Sequence, residues 1–65
     1  MISVNGEPRE GGGETVAQLL DGLGVRTHRG VAVAVDAEVV PRGEWPARVV
    51  PDGARVEVLS AMQGG

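Results

Sequence analysis

The residues best placed to do chemistry are the last two. Gly64-Gly65 closes a stretch, Arg55 to Gly65, that reads RVEVLSAMQGG and ends in a carboxylate. Glycines lack Cβ atoms, so such an ending passes through a channel only as wide as a backbone and adopts φ values closed to other residues. A frayed terminus would end the same way, and glycine supplies 11 of the 65 residues. The elements behind the tail must therefore separate the two readings.

Other sites for chemistry are few. Without cysteine the chain has no disulfide, thiolate metal site, iron–sulfur cluster or cysteine nucleophile. A single histidine, His28, sits in the polar loop Arg26–Gly30 and reads as a solvated loop residue; it leaves too few nitrogen or sulfur ligands for a structural zinc. Gly11-Gly12-Gly13 lacks the lysine and the strand-to-helix spacing of a phosphate loop and reads as a flexible turn. There is no lysine, so no Schiff-base chemistry can run on a side chain, and the amino group of Met1 is the one primary amine. A net charge of −3, with six arginines scattered along the chain, offers no basic stripe for nucleic acid. No segment approaches the ~20 apolar residues of a membrane helix, and the amino terminus lacks a basic region followed by an apolar run. The expectation is a cytoplasmic protein that binds neither membrane nor nucleic acid.

The elements that would position the tail follow from periodicity. Ile2 and Val4 alternate with polar neighbours as a first strand, Asn5-Gly6 is a two-residue hairpin turn, and Glu7–Glu10 returns as an edge strand marked by Pro8. Thr15 is a good N-cap for a helix of three turns with Val16, Leu19, Leu20 and Leu23 on one stripe, stopped by Gly22 or Gly24. Val31, Val33 and Val35 form a strand whose other face is alanine; Asp36-Ala37 turns it into Glu38–Val40, closed by Pro41. Arg42–Ala47 reads as a turn or single helical turn with Trp45 as a lid over one edge of the core, and Val49-Val50 adds a short apolar contact. Pro51-Asp52-Gly53 turns into the last strand, where Val56 and Val58 alternate with Arg55, Glu57 and Leu59. The order predicts one α+β domain over residues 1–65, a mixed four- to five-stranded β-grasp sheet packed on one helix. Its first and last strands lie parallel at the centre, and a mobile tail runs over about 61–65. Its expected core is Ile2, Val4, Val16, Leu19, Leu20, Leu23, Val31, Val33, Val35, Val56 and Val58.

Asn5-Gly6, Thr15-Val16 through Leu20, Gly30–Val35, Val40-Pro41-Arg42-Gly43-Glu44-Trp45, Asp52–Val56 and the final Gly64-Gly65 together resemble the sulfur-carrier proteins of thiamine biosynthesis over essentially the whole chain. That family has the ubiquitin-like β-grasp fold. The resemblance implies that an adenylating enzyme related to ubiquitin-activating enzymes uses ATP and Mg²⁺ to convert the Gly65 carboxylate to an acyl-adenylate. A persulfide donor then replaces AMP with sulfur, and the resulting thiocarboxylate serves thiazole formation by a thiazole synthase. The chain itself would be a protein substrate, not an enzyme, and would bind no cofactor. Gln63 stands where the family commonly has a small apolar residue, which leaves the pathway served open.

Residues 61–65, fully extended, reach about 17 Å, enough to enter a partner's site while the globule docks outside. Met62, Gln63 and Gly64 would be read with Gly65. The docking surface is expected on the sheet side away from the helix, where the period-two rule places Ala32, Ala34, Glu57 and Leu59. Three other readings stay open: a carrier for molybdopterin, a carrier for cysteine, or a ubiquitin-like module that binds without covalent chemistry.

Overall fold

Hydrogen bonding in the first hairpin sets the frame. Asn5 (φ 52°) and Gly6 (φ 85°) take left-handed conformations, the two-residue turn whose twist suits antiparallel strands. They join β1 (Ile2–Val4) to β2 (Glu7–Arg9). The computed structural model describes residues 1–25 and 29–60. The remaining elements are α1 (Val16–Gly22), β3 (Val31–Val35), β4 (Glu38–Val40), a 3₁₀ turn at Arg42–Glu44, and β5 (Arg55–Ser60). The sheet runs β2-β1-β5-β3-β4. β5 is its middle strand, parallel to β1 and antiparallel to β3. This mixed sheet with one helix is the β-grasp fold that the element order anticipates.

The helix begins where the sequence places it. Thr15 Oγ1 accepts from the Gln18 amide at 3.1 Å, and Gln18 Oε1 accepts from the Thr15 amide at 2.9 Å, a reciprocal capping box. The other free amides of the first turn are met from outside: Val16 donates to Arg48 O (2.8 Å) and Ala17 to Trp45 O (3.1 Å). At the far end Gly24 (φ 81°) takes the left-handed position, with Gly24 N bonded to Asp21 O and Val25 N to Leu20 O. The helix is seven residues, about two turns at 3.6 residues each, not the three that the apolar stripe suggests. Leu23 falls past its end as the C-cap residue.

The core contains Ile2, Val16, Leu19, Leu20, Val33, Val35, Val40, Trp45, Val50, Ala54 and Val56; Val4, Leu23, Val31 and Val58 pack against it half-buried. Periodicity missed four of these. Val40, Val50 and Ala54 lie in segments too short to show a period, and Trp45 is more than a lid. Its ring is 2% exposed, and its Nε1 donates to the Val40 carbonyl at 2.8 Å inside the core. The second strand stops at Arg9, one residue earlier than expected. Gly11–Gly13 is a packed loop: Gly13 N donates to Val50 O at 2.7 Å, and a Cβ on Gly12 would stand 2.9 Å from Asp52 Cα. Among the described residues no helix is long and apolar enough to cross a membrane.

Two stability outcomes follow. Trp45→Phe removes the indole donor from the buried Val40 carbonyl and opens a void, and should lower stability by about 1–3 kcal/mol in denaturant titration. Ala37 holds φ 68° in the β3–β4 turn, where a Cβ is disfavoured, so Ala37→Gly should raise stability by roughly 0.5–1 kcal/mol.

Candidate functional site

β5 is the base from which the tail leaves. It is the middle strand of five, with β1 on one edge and β3 on the other, where the pairing runs from Val35 opposite Val56 to Val31 opposite Ser60 and Asp36 N extends it by donating to Arg55 O. Its side chains alternate: Val56 is in the core and Val58 half-buried against it, while Arg55, Glu57 and Leu59 stand out on the helix-free side. The same parity rule puts Ala32 and Ala34 of β3 on that side, and the register sets Ala32 opposite Leu59 and Ala34 opposite Glu57. The four residues expected on a partner face therefore share one face as two cross-strand pairs.

Val39 belongs with them. It pairs with Ala34 from β4 and is 71% exposed, as is Leu59. The signal was present in the sequence, since Val40 in the core forces its neighbour outward. The alanines keep the middle of the face low, so Leu59 and Val39 rise on either side of a shallow apolar floor. At the opposite end of β5 the face becomes polar. A hollow of about 430 Å³ there is lined by Ser3, Asp36, Ala37, Gly53, Arg55 and Glu57. Asp36 is fixed in its rim, because Arg55 N donates to its Oδ1 at 2.9 Å. The face is thus apolar beside the end of β5 and charged away from it.

The groups whose titration is shifted lie elsewhere. A hydrogen bond and ion pair with Glu38 raise Arg48 above the ordinary arginine value. The amino group of Met1, 2.7 Å away, holds Asp52 below the ordinary aspartate value through a hydrogen bond and its charge. Trp45, read as structural, is structural. His28, Met62, Gln63, Gly64 and Gly65 lie outside the described residues.

A small mixed sheet grasping one helix, with an apolar open face beside the strand that leads to the carboxyl terminus, defines a ubiquitin-like β-grasp protein. Residues 2–65 match the ThiS family, and the chain belongs to that family. It is 43% identical to the sulfur carrier protein ThiS of Thermus thermophilus over 65 residues, all of both chains. Against the sulfur carrier protein ThiS of Escherichia coli it is 36% identical over 53 residues, 82% of this chain and 79% of that one. The crystal structure of the thiamine biosynthesis protein ThiS from Geobacter metallireducens superposes with a TM-score of 0.81 at 36% identity, covering 98% of this chain and 97% of the other.

Because Asp52 is depressed when folded, its carboxylate adds stability above the ordinary aspartate value of ~3.9, and that increment is lost as pH falls through the lower folded value. Both partners are largely exposed, which keeps the effect small. Asp52→Asn should flatten the acid limb of the thermal midpoint against pH, leaving the neutral range nearly unchanged.

Proposed function

We propose that the chain fills the sulfur-carrier role of its family in thiamine biosynthesis by presenting the Gly65 carboxylate to partner enzymes for conversion to a thiocarboxylate. The observation that carries this reading is the placement of β5. The strand that leads to Gly64-Gly65 is the middle one of the sheet, hydrogen bonded on both edges, with an exposed apolar patch beside its end. Alignment with the Thermus carrier over all 65 residues supports assigning the same role to the final glycines.

A carboxylate resists nucleophiles because attack adds charge to an anion. The adenylating partner removes that obstacle with ATP and Mg²⁺: a Gly65 oxygen bonds to the α-phosphorus and pyrophosphate leaves. The terminal sulfur of a persulfide then attacks the acyl carbon and AMP departs, giving an acyl disulfide. A thiol cleaves its S–S bond, is itself oxidised to a disulfide, and frees the thiocarboxylate. Each bond change takes place in a partner's site. The chain contributes the reacting atom and a surface to be recognised, and so acts as substrate and not as enzyme. Thiazole synthase is the recipient that this reading implies, and the cytoplasm is the compartment.

The docking surface is the open face, with Leu59, Val39, Ala32 and Ala34 as its apolar centre and Glu57 at its charged margin. An apolar patch with an acidic edge fits a partner surface that is apolar with a basic rim. Met62, Gln63 and Gly64 enter the partner's channel with Gly65 while Leu59 stays on the docking face.

The test is pyrophosphate release by the cognate adenylating enzyme with this chain as second substrate. Removing Gly65 should abolish release with the fold intact. Leu59→Asp, on a side chain already exposed, should leave stability within about 0.5 kcal/mol and raise the KM for the chain about tenfold, the loss of one interface contact worth more than 1 kcal/mol. Undiminished release without Gly65 would overturn the attachment site. An unchanged KM for Leu59→Asp would overturn the docking face.

A further inference from the structure

The ladder between β1 and β5 does not stop where β1 stops. Two backbone rungs are regular: Ser3 N donates to Ala54 O at 3.0 Å and Asn5 N to Val56 O at 2.9 Å. One step further, at Val58, β1 has already turned away through Asn5-Gly6. The Asn5 side chain takes the missing place. Its Oδ1 accepts from Val58 N at 2.8 Å, and its Nδ2 donates to Val58 O at 3.1 Å. A carboxamide has the same donor and acceptor as a peptide unit, so this side chain serves β5 as one more residue of strand.

Only one residue type meets both demands at this position. The turn requires φ 52° of residue 5, which asparagine tolerates better than other side chains. The rung requires a donor and an acceptor on one short side chain. Glycine supplies the first without the second, and aspartate supplies the first with only half of the second.

We infer that Asn5 is a positioning residue for the carrier reaction. Its amide clamp fixes Val58, and so sets the course of Leu59 and Ser60, the last two residues of β5. The inference rests on the carrier reading above and adds a residue to it. Val58 is followed at once by Leu59, the most exposed apolar side chain of β5, so one clamp orders both the docking patch and the root of the tail. Without it, Val58–Ser60 would be held by β3 on a single edge, and the freedom gained there would have to be lost again on docking. The cost falls on association with the partner, while the chemistry at Gly65 goes on unchanged once the tail is seated.

Asn5→Gly separates the two roles, since it keeps the turn and deletes the clamp. Asn5→Asp is the second variant, because it keeps the acceptor and sets a carboxylate against the Val58 carbonyl. In Asn5→Gly the Val58 amide should exchange with solvent about tenfold faster, the loss of a rung of ordinary net strength, with the core amides of Val33 and Val35 much less affected. The KM of the chain for its adenylating enzyme should rise severalfold with kcat within about twofold, and Asn5→Asp should fall between wild type and glycine. Asp52→Asn, which breaks a contact at the other end of the molecule, should leave that KM unchanged. Unaltered Val58 exchange in Asn5→Gly would overturn the clamp. Faster exchange with an unaltered KM, or an equal KM rise in Asp52→Asn, would overturn the positioning role and leave Asn5 a purely structural residue. If the wild-type chain itself were not adenylated, the carrier reading would fall and the positioning role with it, while the exchange measurement would still report on the clamp.

Discussion

Both edges of β5 are occupied, by β1 and then the Asn5 side chain on one side and by β3 from Val56 to Ser60 on the other. A strand in that position has its backbone donors and acceptors engaged and one row of side chains in the core, so it cannot swing. For a 65-residue chain whose described residues form one short α-helix, this is the stiffest base that the fold offers. Placing β5 there, and not at an edge, gives its last residues, Leu59 and Ser60, a fixed place in the sheet. The edges go to β2 and β4, three residues each, which are short and, in β2, interrupted by Pro8; such strands offer little to a foreign chain seeking to pair.

The rest of the core supports that arrangement. The helix needs its first-turn amides satisfied, and Arg48 and Trp45 carbonyls do this from the segment that precedes β5. Trp45, bonded to Val40 O, ties that segment to β4. A chain of contacts therefore runs from the helix start through Trp45 and Val50 and into Ala54 and Val56, all in one core. The opposite face of the sheet is freed from packing duty. Alanine at positions 32 and 34 keeps it low, and Leu59 and Val39 remain in solvent.

Much of this could be read from residue types. The alternation of Ile2/Val4, Val31/Val33/Val35 and Val56/Val58 assigned strands and faces, Thr15 placed the helix start, and Asn5-Gly6 and Asp36-Ala37 placed the two tight turns. The face with Ala32, Ala34, Glu57 and Leu59 followed from parity alone. What escaped was non-local. The burial of Val50 and Ala54 depends on how the chain returns to the sheet, the helix length on where the Gly24 cap falls, and the packing of Gly12 on the approach of Asp52. Asn5 is the sharpest case. Its backbone role was visible as a turn, but its side chain acts on Val58, 53 positions away, and no local pattern carries that.

The account places reactivity at the last residue of a chain without lysine or cysteine. Its most direct test is the intact mass of the protein after incubation with its adenylating enzyme, ATP, Mg²⁺, a persulfide donor and a thiol reductant. Replacement of one oxygen by sulfur, mapped by fragmentation to Gly65, is the result expected. An unchanged mass with demonstrably active partners, or a sulfur mapped to any other residue, would contradict it.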